Sequence, residues 1–173
     1  MFEQEIAPFQ DGFVILREYE LATDPEKLVL HLFDKMNSPE GITELRASDK
    51  RFAKHRDKNN RFVAEFKGKL IATLTLVSEY WSKQGFHMYS VVTAKDYQGS
   101  GITSLLFDYA CQWASAQGKS IIIVDTYEDN LPAQKYFKKI GFKRIGIIPN
   151  AIENSKNEKV GQIFYYLHIN LKN

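Results

Sequence analysis

The feature that most constrains this chain is a glycine-rich stretch, Tyr97 to Thr103, that separates two different hydrophobic patterns. A strand-like run, His87 to Thr93, leads into it, and a helix-like run, Ile102 to Gln117, leads out. A turn of this kind directs several backbone N–H groups at one spot, where the helix dipole adds partial positive charge. Glycine matters because a side chain would hold an anion away from the backbone. The stretch predicts a strand, a turn and a helix that bind phosphate or pyrophosphate, although Gly-Ser-Gly also occurs in ordinary turns.

The spacing within this stretch excludes two common phosphate-binding loops. A Walker loop needs a Lys-Ser/Thr pair after its second glycine, and the dinucleotide fingerprint needs a third glycine where Ser104 stands. The stretch resembles instead the acyl-CoA loop of the GNAT acetyltransferase superfamily, Gln/Arg-x-x-Gly-x-Gly/Ala at the start of a long helix. Gln98, Gly101 and Thr103 occupy the defining positions, and Thr103 departs from the usual glycine or alanine.

A second stretch strengthens this resemblance. The run from Asn130 to Phe142, Asn-Leu-Pro-Ala-Gln-Lys-Tyr-Phe-Lys-Lys-Ile-Gly-Phe, resembles the next family motif, Asn-x-x-Ala-x-x-x-Tyr-x-x-x-Gly-Phe. The two motifs occur in the family order, with one helix and one apolar strand between them. The resemblance covers about Tyr89 to Ile148 and extends more loosely from Phe62 to the C-terminus. It implies an acetyl-CoA-dependent N-acetyltransferase.

Composition favours an ordinary globular protein. Of 173 residues, 44% are hydrophobic and 25% are charged, which suits one domain, residues 1–173, with a substantial core. The net charge of +2 does not by itself favour nucleic acid as a partner. Cys111 is the one cysteine, so no intramolecular disulfide or cysteine-rich metal site is expected, and we expect no metal. Without a signal-peptide pattern or an 18-residue apolar run, we expect a cytoplasmic location and no membrane partner.

Hydrophobic periodicity and turn signals predict the other elements. Residues 1–9 are expected to be a loose lead-in, and Asn150 to Lys159 a polar loop. The predicted strands are Phe13–Glu20, Arg61–Phe66, Leu70–Val77, Phe86–Thr93, Ile121–Val124, Phe142–Ile148 and Val160–Leu171. The predicted helices are Thr23 to about Asn37, Thr43–Lys58, Ile102–Gln117 and Pro132 to about Gly141. This pattern predicts an α/β (α+β) fold with a mixed, mostly antiparallel sheet of six to seven strands and about four helices. The resemblance implies that the fourth and fifth strands splay apart around CoA.

The resemblance also implies which residues bind the cofactor. The loop N–H groups would hold the pyrophosphate, and the strand before the loop would pair with the pantetheine arm and stabilise the oxyanion. Asn130 matches the family residue that binds the CoA arm, and it also suits a plain helix cap. The residues implied in cofactor binding are Val91, Val92, Thr93, Gln98, Gly99, Ser100, Gly101, Ile102, Thr103, Asn130, Ala133 and Phe137.

Acetyl transfer to an amine requires a proton acceptor, because an amine with a lysine-like pKa near 10.4 is protonated at neutral pH. Glu79 and Asp125 follow predicted strands and are the candidates for this role. His87, at the start of a strand, is a further candidate. The alternative is that the two acids are simply solvated and that the histidine is structural.

The departing thiolate often takes a proton from a family tyrosine, and Phe137 stands at that position. Tyr136 is its neighbour, but adjacent helix residues point about 100° apart, so it cannot simply substitute. Tyr136, Tyr127 or Tyr89 reaching the sulfur from another direction remains open. A thiolate also leaves fairly well without a positioned acid.

Three functions are consistent with these features. The first is transfer of acetyl from acetyl-CoA to a primary amine of an unidentified acceptor, a small molecule or a protein. The second is a CoA-binding regulatory or degenerate module with little catalysis, which Thr103 and Phe137 favour and the intact Gln98 and Asn130 oppose. The third is a nucleic-acid binder that uses the basic residues of Arg46 to Lys58, and the acids within that segment argue against it. The oligomeric state stays open, with a homodimer as one option.

Overall fold

A computed structural model describes residues 3–32, 59–78, 83–154 and 157–169. Their strands are β1 Glu5–Phe9, β2 Gly12–Glu18, β3 Asn59–Phe66, β4 Lys69–Ser78, β5 Gly85–Thr93, β6 Ile121–Tyr127, β7 Lys143–Glu153 and β8 Lys159–His168. Their α-helices are α1 Asp24–Leu32, α2 Ile102–Ala116 and α3 Leu131–Lys139. The predicted α+β class is confirmed, but these residues hold eight strands instead of six to seven. The predicted helix Thr43–Lys58 lies outside the described residues. None of the described helices is long and apolar enough to cross a membrane.

The chain divides into two compact units. The first contains the described residues of Met1–Ser78 and Tyr89–Trp113, and the second contains those of Glu79–Met88 and Ala114–Asn173. Strand β5 therefore begins in the second unit and ends in the first. Helix α2 begins in the first unit and ends in the second.

In the first unit, the strands are neighbours in the order β1-β2-β3-β4-β5. The pairs β1/β2, β2/β3 and β3/β4 are antiparallel. Strand β4 is buried on both faces from Leu70 to Leu76, so its alternating pattern does not mark a solvent face. The buried Thr73 hydroxyl is satisfied because it donates a hydrogen bond to the Phe62 carbonyl at 2.9 Å.

The prediction that residues 1–9 form a loose lead-in is wrong. The segment expected to be a loose lead-in contains β1, which pairs with β2 from Glu5 to Phe9. Ala7 and Phe9 are buried, and the Tyr109 hydroxyl of α2 donates to the Glu3 carbonyl at 3.0 Å. A strand of five residues carries too short an alternation to be distinguished from a loop, and its stability comes from these distant partners.

Helix α1 begins at Asp24, which is fully buried and ion-paired. Two hydrogen bonds from Arg17 reach the Asp24 carboxylate at 2.6 and 2.9 Å, and the Glu20 amide donates to it at 2.8 Å. Arg17 also donates to Glu65 at 2.8 Å. The hydrogen bond with Asp24 raises the pKa of Arg17, so the guanidinium stays charged. The predicted helix start is confirmed, and its acid also joins α1 to β2.

In the second unit, the strand order is β5-β6-β8-β7. Parallel pairing joins Gly85–His87 of β5 to Ile121–Ile123 of β6, and β8 is antiparallel to both β6 and β7. Ile122 and Val124 are buried, as predicted for an internal strand. The predicted polar loop begins later than expected, because β7 continues to Glu153 through a register shift between Ile148 and Ile152.

The predicted apolar stripe of α2 is mostly confirmed. Ile102, Leu106, Tyr109 and Trp113 are buried, and the rings of Tyr109 and Trp113 contact Phe62 edge-on with centroids 5.9 and 5.3 Å away. Ala116 is exposed, because the helix ends there and Gly118 follows in the left-handed conformation. These contacts fix the direction of α2 and therefore the position of the loop at its start.

Candidate active site

The glycine-rich loop leaves a specific set of backbone donors available. The Gln98 and Ser100 amides are used within the turn, where they donate to the carbonyls of Lys95 and Tyr97 at 3.3 Å each. The amides of Gly99, Gly101 and Thr103 have no hydrogen-bond partner within the described part of the chain. The Ile102 amide donates to the Ser100 hydroxyl at 3.5 Å. Of the six amides in the predicted donor set, Gln98 to Thr103, three therefore remain available at the start of α2.

The two loop glycines are required by backbone conformation. Gly99 has φ +78° and Gly101 has φ +89°, a region in which residues with a side chain are strained. A Cβ built on either glycine would meet no atom of the described structure within 4 Å. Both residues are exposed, so the space beside them is open to a ligand.

Thr93, at the end of β5, connects both sides of the loop. The Gln98 side chain donates to the Thr93 carbonyl at 3.3 Å, and the hydroxyls of Thr93 and Thr103 lie 2.6 Å apart. Two hydroxyls that share one hydrogen bond keep one hydrogen to donate elsewhere. Thr103 therefore fits the loop in place of glycine or alanine, because its hydroxyl ties the strand end to the first helical turn.

An aromatic cluster packs around Tyr97, the first residue of the loop. The ring of Tyr97 lies 6.2 Å from that of Phe9 and 6.0 Å from that of Phe66, centroid to centroid. The rings of Phe9 and Phe66 contact each other edge-on at 5.2 Å. This aromatic cluster was not predicted from the sequence, because Phe9 lies in the segment that was expected to be a loose lead-in and that forms β1 instead.

The strand that precedes the loop bends before it ends. Ser90 has φ +52°, which is uncommon for a residue with a side chain and interrupts the extended backbone. Val91, Val92 and Thr93 follow as a half-buried strand end. Val91 to Thr93, which are predicted to pair with a pantetheine arm, therefore lie in a strand, as expected. The backbone is distorted at Ser90, just before them.

Asn130 caps α3. Its side-chain oxygen accepts a hydrogen bond from the Ala133 amide at 3.3 Å, and proline stands in the first turn. The capping role is therefore confirmed, and the role in binding the CoA arm stays a prediction. The cap occupies the side-chain oxygen, and the side-chain amide of Asn130 has no partner within the described ranges.

Two of the candidate proton acceptors are joined to each other. His87 Nε2 lies 2.7 Å from Asp125 Oδ1, and Gln162 Nε2 donates to Asp125 Oδ2 at 2.7 Å. Burial raises the pKa of Asp125, but the hydrogen bonds from His87 and Gln162 outweigh burial and leave the pKa lowered. Asp125 is therefore an ionised partner of the imidazole. Glu79 lies outside the described residues.

Phe137 is part of the core of the second unit. It is 5% exposed, and its ring lies 5.6 Å from Phe142 and 5.7 Å from Tyr165. The neighbouring Tyr136 has its hydroxyl buried as well. The structure thus explains Phe137 as a packing residue, and the assignment of Tyr136 as an acid stays a prediction. Among the described residues, no group of three or more His, Cys, Asp or Glu is arranged to hold a metal ion.

Cys111 on α2 is expected to be unreactive in the folded protein. Burial and the charge of Asp108 raise the pKa of the Cys111 thiol to about 12, which makes its thiolate fraction at pH 7.5 roughly a thousand-fold smaller than that of a free cysteine. We expect a thiol reagent to label it far more slowly in buffer than in urea. Equal labelling rates would contradict this burial. An unreactive Cys111 also adds no background signal to assays that measure release of the CoA thiol.

Comparison with known proteins identifies the family. A family model described as Acetyltransferase (GNAT) family matches residues 19–142, more than half of the chain. The fold is that of an acyl-CoA-dependent transferase. The chain belongs to the GNAT family of acetyltransferases. A search of curated proteins finds no match.

Solved structures share the fold at low sequence identity. An N-acetyltransferase from Staphylococcus aureus Mu50 is 20% identical with a TM-score of 0.74, covering 91% of this chain and 99% of that one. A spermidine/spermine N-acetyltransferase from Vibrio cholerae is 18% identical with a TM-score of 0.72, covering 90% of this chain and 92% of that one. An aminoglycoside 6'-N-acetyltransferase complexed with coenzyme A is 14% identical with a TM-score of 0.68, covering 91% and 98%. At these identities the likeness concerns the fold alone.

Proposed function

We propose that this protein transfers the acetyl group of acetyl-CoA to a primary amine of a small molecule or a protein. The observation that carries the proposal is the set of three backbone N–H groups, those of Gly99, Gly101 and Thr103, that have no partner among the described residues. They stand at the start of a 15-residue helix, where an anion is stabilised by the helix dipole. This arrangement suits the pyrophosphate of CoA.

The rest of the cofactor would be held by backbone and amide groups. The strand end Val91 to Thr93 offers its backbone groups to the amides of the pantetheine arm, as an added strand would pair with a sheet edge. The resemblance separately implies a role in CoA binding for Asn130, whose side-chain oxygen is used by the helix cap and whose side-chain amide has no partner among the described residues. Backbone N–H groups directed at the thioester carbonyl would stabilise the oxyanion of the tetrahedral intermediate.

The reaction proceeds by direct attack of the amine on the thioester carbon. The acceptor first loses a proton, for which Glu79 and Asp125 are the candidates from sequence. The intermediate then collapses, the carbon–sulfur bond breaks, and the thiolate takes a proton from Tyr136 or from water. The solved relatives act on a polyamine and on an aminoglycoside, as their names state, so the fold is compatible with amines of different sizes.

Calorimetric titration with acetyl-CoA, with NAD and ATP as controls, tests the cofactor. We expect micromolar binding of acetyl-CoA alone, followed by thiol release with at least one member of a panel of amino acids, polyamines, aminoglycosides and peptides. No binding of acetyl-CoA would contradict the proposal. Binding without thiol release for every amine would favour a CoA-binding module with little catalysis, which the replacement of the family tyrosine by the buried Phe137 also favours.

Tyr136→Phe tests the proposed acid. If the hydroxyl protonates the thiolate, kcat falls by about 10²-fold or more, since a positioned acid contributes roughly 10²–10⁴-fold. The affinity for acetyl-CoA should stay unchanged, as measured by titration. Tyr166→Phe, which removes a hydroxyl from the same unit, serves as the control and should keep wild-type kcat. A Tyr136→Phe enzyme with wild-type kcat would exclude the acid role and leave thiolate departure unaided.

A further inference from the structure

Strand β1 packs against the residue at which the glycine-rich loop begins. Phe9 is the last residue of this strand and is 6% exposed, and its ring contacts those of Phe66 and Tyr97. Phe66 is buried on β3, which is paired on both sides, with β2 and with β4. All of these residues belong to the first unit. The ring of Tyr97 is therefore held by one side chain from an internal strand and by one from β1.

Tyr97 in turn fixes the shape of the loop. Its carbonyl accepts hydrogen bonds from the Ser100 amide at 3.3 Å and from the Ser100 hydroxyl at 2.5 Å. Between these two residues, Gln98 has φ −64° and ψ 137° and Gly99 has φ +78°, which fit a type II turn. A displacement of Tyr97 would therefore change the direction of the Gly99 N–H, one of the three donors assigned to the pyrophosphate.

The chain around β1 also contacts the helix that follows the loop. The Tyr109 hydroxyl donates to the carbonyl of Glu3, just before the strand, at 3.0 Å. The Gln112 side-chain amide donates to the Glu5 carboxylate at 3.4 Å. Both donors lie on α2, whose first turn carries the available Thr103 amide. The N-terminal residues thus contact the elements on both sides of the loop.

Strand β1 is expected to open at a lower free energy than the internal strands of its unit. It has five residues, stands at the end of the sheet order and pairs, within the described ranges, with β2 alone. When it opens, Phe9 leaves the aromatic cluster and α2 loses two hydrogen bonds. A ligand that binds more tightly while β1 is in place must stabilise β1 by the same factor, because coupling between two sites is reciprocal.

We propose that Phe9 is a positioning residue for the CoA site, and that packing of β1 and binding of acetyl-CoA strengthen each other. This assignment rests on the proposed function, because it concerns the same three loop amides. Phe9 acts through Tyr97 and does not itself contact the cofactor. Any change that displaces β1 should therefore lower the affinity for acetyl-CoA while every donor of the loop remains present.

Titration of Phe9→Ala with acetyl-CoA tests the positioning role. We expect the Kd to rise by about 10-fold or more, within the roughly 5- to 150-fold range of coupling between sites. Tyr97→Ala should raise it as well. Because Phe9 acts through Tyr97, the double variant should bind more tightly than the product of the two separate effects predicts. Effects that simply multiply would overturn the proposed path through Tyr97.

Phe13→Ala and Leu28→Ala are the controls that separate positioning from loss of stability. Phe13 lies in the same β1/β2 hairpin but is 66% exposed, so its removal should leave the Kd unchanged. Leu28 of α1 is fully buried in a separate cluster with Val63 and Leu70. Leu28→Ala should lower the urea midpoint, as Phe9→Ala does, and yet keep the wild-type Kd. Equal Kd values for Phe9→Ala and Leu28→Ala would overturn the proposal.

Hydrogen exchange of the wild-type protein tests the coupling without any variant. Saturating acetyl-CoA should slow exchange of the β1 amides by about 10-fold or more, because the coupling is reciprocal. The amides of β7, which ends the sheet order on the other side, should exchange as before. Unchanged exchange in β1 of a protein that binds acetyl-CoA would overturn the coupling. Absence of acetyl-CoA binding by the wild-type protein would instead refute the proposed function, and the coupling with it.

Discussion

Gly101→Glu is expected to raise the Kd for acetyl-CoA by at least about 100-fold, which corresponds to roughly 2.7 kcal/mol. The substitution places a carboxylate beside the three donor amides, where the pyrophosphate is proposed to bind. Two unit charges about 4 Å apart repel by about 4 kcal/mol at an effective dielectric constant of about 20. A Cβ at this exposed position meets no described atom within 4 Å, so we expect the free protein still to fold.

Gly118→Glu is a matched control for this experiment. Gly118 also has a left-handed backbone, with φ +71°, is exposed, and would place a Cβ in open space. Both variants therefore carry the same added charge and a similar backbone strain of about 1–2 kcal/mol. Thermal unfolding should report similar losses of stability, and titration should report a loss of acetyl-CoA affinity for Gly101→Glu alone. Equal affinities for the two variants would refute the loop assignment.

Asp24→Asn is expected to lower the free energy of unfolding by about 3–5 kcal/mol, because it leaves the charge of Arg17 without its main partner in a buried setting. Asp24 is fully buried, and its nearest oxygen lies 2.6 Å from an Arg17 nitrogen. Glu65 remains close to the guanidinium but is itself partly exposed. Urea denaturation at constant m value measures the change, which is a large share of the roughly 5–15 kcal/mol by which native proteins are stable.

Asp11→Asn tests whether burial, and not bond length, decides this effect. Asp11 and Lys67 form an ion pair at the same distance of 2.6 Å, but both side chains are mostly exposed. The side-chain hydrogen bond from Lys67 lowers the pKa of Asp11, yet water screens the pair. We expect no measurable change in unfolding midpoint for this control. A loss for Asp24→Asn no larger than that for Asp11→Asn would contradict the importance of the buried pair.

The features predicted correctly from sequence are those that depend on a single residue or on neighbours within a few positions along the chain. Gly99 and Gly101 mark a left-handed turn because few other residues adopt that conformation, and Asn130 marks a helix start because its side chain caps the next turn. The apolar period of α2 and the continuous apolar run of β6 likewise predict which side chains are buried. The two GNAT motifs lie on these elements, and so the family was accessible from sequence.

Tertiary structure alone decided which distant side chains meet. His87 and Asp125 are 38 positions apart, and Gln162 lies 37 positions beyond Asp125, so that only the register of β5, β6 and β8 joins them. From sequence, His87 and Asp125 were separate candidates, whereas in the fold they form one group. For the same reason, the contact of Phe9 with Tyr97 could not be predicted from sequence. Strand β1 has only five residues and depends on pairing with β2 for its stability. Local pattern determines the elements of this protein, and the long-range pairing of strands determines the chemistry that they bring together.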